Sequence, residues 1–267
     1  MNILIIGGGN MGKTYAHSFL RSHISNKEGM MILERSLEKA EELRVEDIGT
    51  IFTEPEHCIH RADLVIFAVK PQDAHVLFET LKPHIDPQQV FLSIMAGVKI
   101  ETIESSLGAK KIIRAMPNLP SQIGRGMTVY TSSDDVTRIE LVMVQNLLNT
   151  TGKAIYVENE SAIDGATAIS GSGPAYVWHF MNSMLKSAQE MGFSYTEAEL
   201  LVTQTFLGAV ELYSASDISL EEWIRRVCSK GGTTEAALQS FLENEVAKDI
   251  NSGAFAALYR ARELGKM

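Results

Sequence analysis

At 267 residues the chain is long for one core, since roughly 150 residues per domain is typical, and it reads as two domains. A 45% apolar and 21% charged composition excludes disordered and collagenous classes, and the longest apolar run, Leu64 to Val69, is too short to span a membrane. With 24 Lys and Arg against 33 Asp and Glu, the net charge of -9 argues against binding nucleic acid or anionic lipid, so any anionic ligand must be held locally.

The opening residues lead straight into a strand pattern, so no targeting segment is expected. Cys58 and Cys228 have no C-x-x-C partner, which fits a reducing cytoplasm better than a disulfide framework. His57 and His60, in a probable helix, have no completing ligand pattern and read as surface or packing residues rather than a metal site.

From Asn2 to about Thr131, short β-rich runs alternate with helical periods, the signature of parallel strands joined by right-handed crossovers. Strands are expected near Asn2 to Ile6, Gly29 to Glu34, Ile48 to Ile51, Asp63 to Ala68, Val90 to Ile94, Lys111 to Ala115 and Met127 to Tyr130. Their near-continuous apolar character predicts cover on both faces, hence an α/β, doubly wound sheet of Rossmann type. A helix around Val136 to Asn149 and a short run Ala154 to Val157 close this part, giving a first domain over residues 1–157.

Residues 158–267 read as helix only. A long helix should open at Pro174 and end at Gly192, with Val177, Phe180, Met181, Met184 and Leu185 on its apolar face. A second, about Thr196 to Ser214, is apolar on several sides, and a partner chain is predicted to cover both. Ser219-Leu220-Glu221-Glu222 reads as a capping box for a third helix, and Thr233 or Thr234 opens a fourth.

The strongest chemical signal is Gly7-Gly8-Gly9-Asn10-Met11-Gly12, a G-x-G-x-x-G match directly after a strand. Gly7 permits a tight turn, Gly9 lets a pyrophosphate approach, Gly12 lets the next helix pack, and Asn10 and Met11 sit at the helix end that faces the phosphates. The second strand ends in Glu34-Arg35-Ser36. Glu34 suits a ribose 2′-hydroxyl, whereas Arg35 and Ser36 suit a 2′-phosphate; the balance leans toward NADPH, with NADH also compatible. Later strands end in Val69-Lys70-Pro71-Gln72, in Met95-Ala96-Gly97 and in Met116-Pro117-Asn118, all at the carboxyl edge where ligands bind. Within that lining Lys70 could lie over the nicotinamide ribose or the phosphates, and Pro71 would fix the chain as it leaves the strand. In the helical half, Ser170-Gly171-Ser172-Gly173-Pro174 and Ser229-Lys230-Gly231-Gly232-Thr233-Thr234 read as flexible loops entering helix N-termini, suited to a small carboxylate. Plain capping is the simpler account of either loop, but two threonines after two glycines exceed what a cap needs.

These motifs, in this order and spacing, resemble pyrroline-5-carboxylate reductase, and the resemblance runs through Ile6 to Gly12, Phe67 to Gln72, Arg114 to Asn118, Gly171 to Tyr176 and Ser229 to Thr234. The resemblance implies a Rossmann-type domain followed by an all-helical domain that interlocks with a second copy in a homodimer, or a higher assembly. It implies hydride transfer from NAD(P)H to the cyclic imine of 1-pyrroline-5-carboxylate, giving L-proline. It places the cofactor at Gly7 to Gly12 and at Val69, Lys70, Pro71 and Ala96, and the substrate at Asn118, Gly232, Thr233 and Thr234, with the Thr234 hydroxyl at the ring nitrogen as the catalytic group. Such a reaction needs positioning more than a strong acid, which agrees with loops of glycine, serine and threonine. Three other readings compete: a related imine reductase or hydroxyacid dehydrogenase, a non-catalytic NADP-binding regulator, and a pure dimerisation scaffold. The first would place a lysine or aspartate in the long helix facing the nicotinamide, yet Lys186 is the only lysine between Ala175 and Lys230 and stands at its far end. The intact threonine loop argues against the second, and a pure scaffold would not need the strand-end motifs.

Overall fold

A computed structural model of the chain describes residues 1–265. The described residues form two compact units, one of residues 1–172 joined by the chain from Ala257 onward, the other Gly173–Ala256.

The first unit is built in chain order from β1 (Ile3–Ile6), α1 (Asn10–Arg21), β2 (Met30–Leu33), α2 (Leu37–Glu46), β3 (Thr50–Phe52), β4 (Leu64–Phe67), α3 (Ala74–Leu81), β5 (Val90–Ser93), α4 (Ile100–Leu107), β6 (Lys111–Met116), β7 (Gly126–Ser132), α5 (Arg138–Asn149), β8 (Gly152–Tyr156) and α6 (Ser161–Ala166). The strands make one sheet in the order β3-β2-β1-β4-β5-β6-β7-β8. Every residue of β1, β2, β4 and β5 is buried, as continuous apolar runs require when both faces are covered. One apolar core, with Ile3, Ile5, Tyr15, Phe19 and Leu147, fills one face; Leu4, Phe67, Phe78, Phe91 and Ile112 fill the other. On the second face Phe67 stacks on Phe91 at 5.7 Å and meets Phe78 edge-on at 5.3 Å.

One expectation is corrected. The array is parallel from β3 through β6, but β7 runs antiparallel to β6, and β8 then lies parallel to β7. Residues 117–125 alone join β6 to β7, fewer than the dozen or more that a crossover back to a parallel strand needs. A short 3-10 turn, Leu119–Ile123, reverses the chain instead. The region of His57 and His60, expected as a helix, is a pair of 3-10 turns, Pro55–His57 and Ile59–Arg61.

Arg114 is the largest fully buried side chain, 2% exposed, on β6. Its guanidinium meets Asp164 of α6 at 3.0 Å and Glu160 at 2.9 Å, and the same Glu160 oxygen accepts the N–H of Ile100 at the start of α4. A buried cation thus ties the sheet to two helices, and removing one anion leaves it under-compensated.

In the second unit, α7 (Gly173–Glu190) and α8 (Tyr195–Ser214) pack on each other and are followed by α9 (Leu220–Val227), α10 (Thr233–Glu243) and α11 (Val246–Leu264). The fifth helix, α11, goes beyond the four that the sequence pattern marks, and its last turns belong to the first unit. Ser194 opens α8 with a complete capping box to Glu197. At α9 only half of the expected box forms: Ser219 accepts from the Glu222 N–H, while the Glu222 carboxylate turns to Arg225 and Arg226. The loop expected at Ser170 to Pro174 is also corrected. A π-helical turn, Thr167–Gly171, continues α6, and α7 begins at Gly173 with Pro174 inside its first turn, where a missing N–H costs nothing. Along α7 no residue is buried, and α8 buries only Ala198 and Val202, leaving Trp178, Leu200, Leu207 and Val210 exposed.

Asp164→Ala is expected to lower the unfolding free energy by about 3 kcal/mol, because Glu160 alone remains beside the buried guanidinium. Urea unfolding followed by circular dichroism checks this; a loss below about 1 kcal/mol would mean the pair contributes no more than a surface one.

Candidate functional site

The strand order reverses between β1 and β4, so the crevice of this sheet opens where the Gly7-Gly8-Gly9 turn faces Ala68 and Val69. Three glycines fit that crevice for three different reasons. Gly7 has φ +105, a conformation that side chains resist, and an added Cβ would stand 2.8 Å from the Ala68 carbonyl oxygen. A Cβ on Gly12 would fall on the Gly7 carbonyl, so only glycine lets α1 come this close to the strand end. Gly9 is the reverse case: nothing lies within 4 Å of where its Cβ would be, and as N-cap of α1 it offers no side chain to the helix's free N–H groups. An open, uncapped helix start over a tight turn is what a pyrophosphate needs. Asn10 is exposed and Met11 half-buried at this end.

Glu34, just past β2, acts as a strut. One carboxylate oxygen accepts the N–H of Gly8 at 3.1 Å and the other that of Ser36 at 3.0 Å. The side chain expected to grip a ribose hydroxyl therefore ties the glycine turn to the β2–α2 loop. Ser36 caps α2 by accepting from the Lys39 N–H. Arg35 projects outward and pairs with Asp73, Nη2 to Oδ1 at 3.0 Å. Val69 is half-buried, Lys70 exposed, and Pro71 begins a 3-10 turn through Asp73. Ala96 is half-buried in the loop after β5, beside Gly97, where a Cβ would come within 3.0 Å of the Leu264 backbone at the end of α11. The sequence motifs from β1, β2, β4 and β5 are thus gathered at one edge.

Asn118 lies in the same unit, with both ends of its amide engaged. Its Nδ2 donates to the Ser170 carbonyl in the π-turn at 3.1 Å and its Oδ1 accepts the Met127 N–H at 2.8 Å. The assigned substrate residue holds three chain segments together, and Met116 lies where any side chain on Gly171 would go. The signal that would have revealed this, an i to i+5 bond pattern in a small-residue run, has no sequence signature.

The threonine loop belongs to the second unit. There α10 starts at Thr233 with Gly232 as N-cap, and neither threonine hydroxyl serves as a cap. Gly231 has φ +73 and its N–H is held by a Glu235 carboxylate oxygen at 2.7 Å. Thr233 is exposed and Thr234 half-buried. First-turn N–H groups have no partner within their helix, so this end can receive an anion.

Among the described residues no group of three or more His, Cys, Asp or Glu side chains gathers as metal ligands, and no helix is long and apolar enough to cross a membrane. Both cysteines are free; burial pushes the Cys58 thiol up to about 11, which makes it a poor nucleophile.

Comparison with known proteins places both parts. Residues 160–264 match the family described as pyrroline-5-carboxylate reductase dimerisation, and residues 2–97 that described as NADP oxidoreductase, coenzyme F420-dependent. The chain is 33% identical to pyrroline-5-carboxylate reductase 2 of Bacillus subtilis over 92% of its own length and 88% of that protein. Among solved structures, a pyrroline-5-carboxylate reductase from Coxiella burnetii matches with a TM-score of 0.90 at 30% identity, covering 100% of this chain and 99% of that one. The Plasmodium falciparum pyrroline carboxylate reductase with NADP bound matches with a TM-score of 0.90 at 28% identity, covering 99% and 98%.

Gly9→Ala is expected to leave thermal stability within about 1 °C, since the added methyl meets nothing, while weakening dinucleotide binding about tenfold or more by obstructing the phosphates. Melting curves beside fluorescence titration of the reduced dinucleotide check the two halves together.

Proposed function

The chain belongs to the pyrroline-5-carboxylate reductase family, and on that footing we propose that it reduces 1-pyrroline-5-carboxylate to L-proline, the last step of proline biosynthesis, using NADPH, with NADH also accepted. The observation that carries this reading is α10, which opens on an uncapped glycine with two threonine hydroxyls left over for a ligand.

The residues of the glycine turn, Gly7, Gly9, Asn10, Met11 and Gly12, hold the pyrophosphate at the start of α1. Arg35 and Ser36 lie on the ribose side and Val69, Lys70, Pro71 and Ala96 line the rest of the carboxyl edge. When bound, the nicotinamide supplies the hydride. The protein's own task is then to fix a small anionic heterocycle. The Thr233 N–H and the positive end of α10 face the substrate carboxylate, with Gly232, whose own N–H is held by the Ser229 carbonyl, as the side-chain-free cap beside it. The Thr234 hydroxyl hydrogen-bonds the ring nitrogen, orienting it and steadying its changing charge. Asn118 keeps the π-turn in place and contributes from the edge of the substrate site.

The same reading assigns the exposed apolar residues of α7 and α8 to a second copy of the chain. Trp178, Leu200, Leu201 and Val210 are each about half or more exposed in a single chain, far more apolar surface than one copy can leave in water. A homodimer with interlocked helical domains covers them, and the threonine loop of one chain then serves the cofactor domain of the other. Free thiols at Cys58 and Cys228 accord with a cytoplasmic setting.

Purified protein should oxidise NADPH on addition of pyrroline-5-carboxylate and not with a panel of 2-keto acids; the opposite pattern overturns the assignment. Thr234→Ala should cut turnover about tenfold or more with NADPH affinity unchanged. Steady-state rates equal to wild type would reject the role given to that hydroxyl.

A further inference from the structure

The Arg35–Asp73 ion pair lies across the cofactor crevice rather than beside it. Arg35 follows β2 and Asp73 follows β4, and these two strands flank β1 in the sheet. A 3.0 Å contact between them therefore spans the carboxyl end of β1, the strand that ends in Gly7-Gly8-Gly9. The guanidinium is 79% exposed and the carboxylate 33%, so both are open to an incoming ligand.

Two further observations bear on what each partner can reach. Asp73 ends the 3-10 turn that runs into α3 with helical backbone angles (φ -89, ψ -8), and its carboxylate makes no cap bond and faces Arg35 instead. Meanwhile each oxygen of Glu34 already holds a backbone N–H, so the neighbouring side chain with donors to spare is Arg35. One cation thus faces one anion across the place where an adenosine ribose would lie.

We propose that Asp73 sets the nucleotide selectivity of this crevice by competing with a ribose 2′-phosphate for Arg35. This rests on the cofactor reading given above and deepens it. A 2′-phosphate must displace the Asp73 carboxylate from the guanidinium and then lie near a like charge, whereas a 2′-hydroxyl does neither. Asp73 therefore lowers the preference for the phosphorylated dinucleotide that Arg35 creates, and the competition is one of exposed charges, modest in size and sensitive to salt.

The test is calorimetric titration of the purified full-length protein with adenosine 2′,5′-bisphosphate and with adenosine 5′-monophosphate, no substrate being present. Asp73→Asn is expected to tighten the bisphosphate about two- to fivefold and to leave the monophosphate unchanged. In an Arg35→Gln background the same substitution should have no effect on either. Asp73→Ser removes the charge by a second route and should behave alike. Unchanged or weaker bisphosphate binding in Asp73→Asn, or equal tightening of both nucleotides, would overturn the proposal. Failure of the cofactor reading looks different: the wild-type protein would then bind neither NADPH nor the bisphosphate.

Discussion

The close approach of Gly12 to the Gly7 carbonyl is the constraint on which the rest of the first unit depends. A methyl group at position 12 would occupy the space of that oxygen, so the helix can dock on the strand end only because the residue has no side chain. That docking sets the direction of α1, buries Tyr15, Ala16 and Phe19 against the sheet, and aims the uncapped start of the helix at the crevice. Core formation and phosphate recognition are the same event here. The chain carries a net charge of -9 and still presents a positive helix end, which shows how a local dipole can prevail over the sign of the whole molecule at short range.

Most of the fold could be read from residues. Runs such as Leu64 to Phe67 are apolar without alternation because helices cover both sides of the sheet, and that pattern survives into the structure unchanged. Reading strand polarity was harder. Periodicity marks β7 as a strand but carries nothing about direction, which is fixed by how few residues separate it from β6. The π-turn at Thr167–Gly171 was hidden for a related reason. Its small residues look like a loop because glycine and serine disfavour helix interiors, whereas the i to i+5 bond from Ser172 to Thr167 and the long-range hydrogen bond from Asn118 hold the segment in order.

The site divides in the same way. Glycine positions were legible because their requirement is steric and local. Polar roles are less so, because a side chain's partners within the protein are chosen by the fold: Glu34 also holds two backbone N–H groups, and the Ser36 oxygen also caps α2. Arg114 passed unnoticed as an energetic element, since nothing within one strand shows that its partners lie on a helix far along the chain.

The last turns of α11 have a consequence for biogenesis. Because Leu264 supplies the surface against which the Gly97 loop closes, a nascent polypeptide made as far as Ala256 still lacks a wall of its first domain. Vectorial folding, which ordinarily finishes an amino-terminal domain before the next is made, must here wait until the helical unit in between has been synthesised. The loop carrying Ala96 thus reaches its final surroundings only after the whole of the second unit has been made.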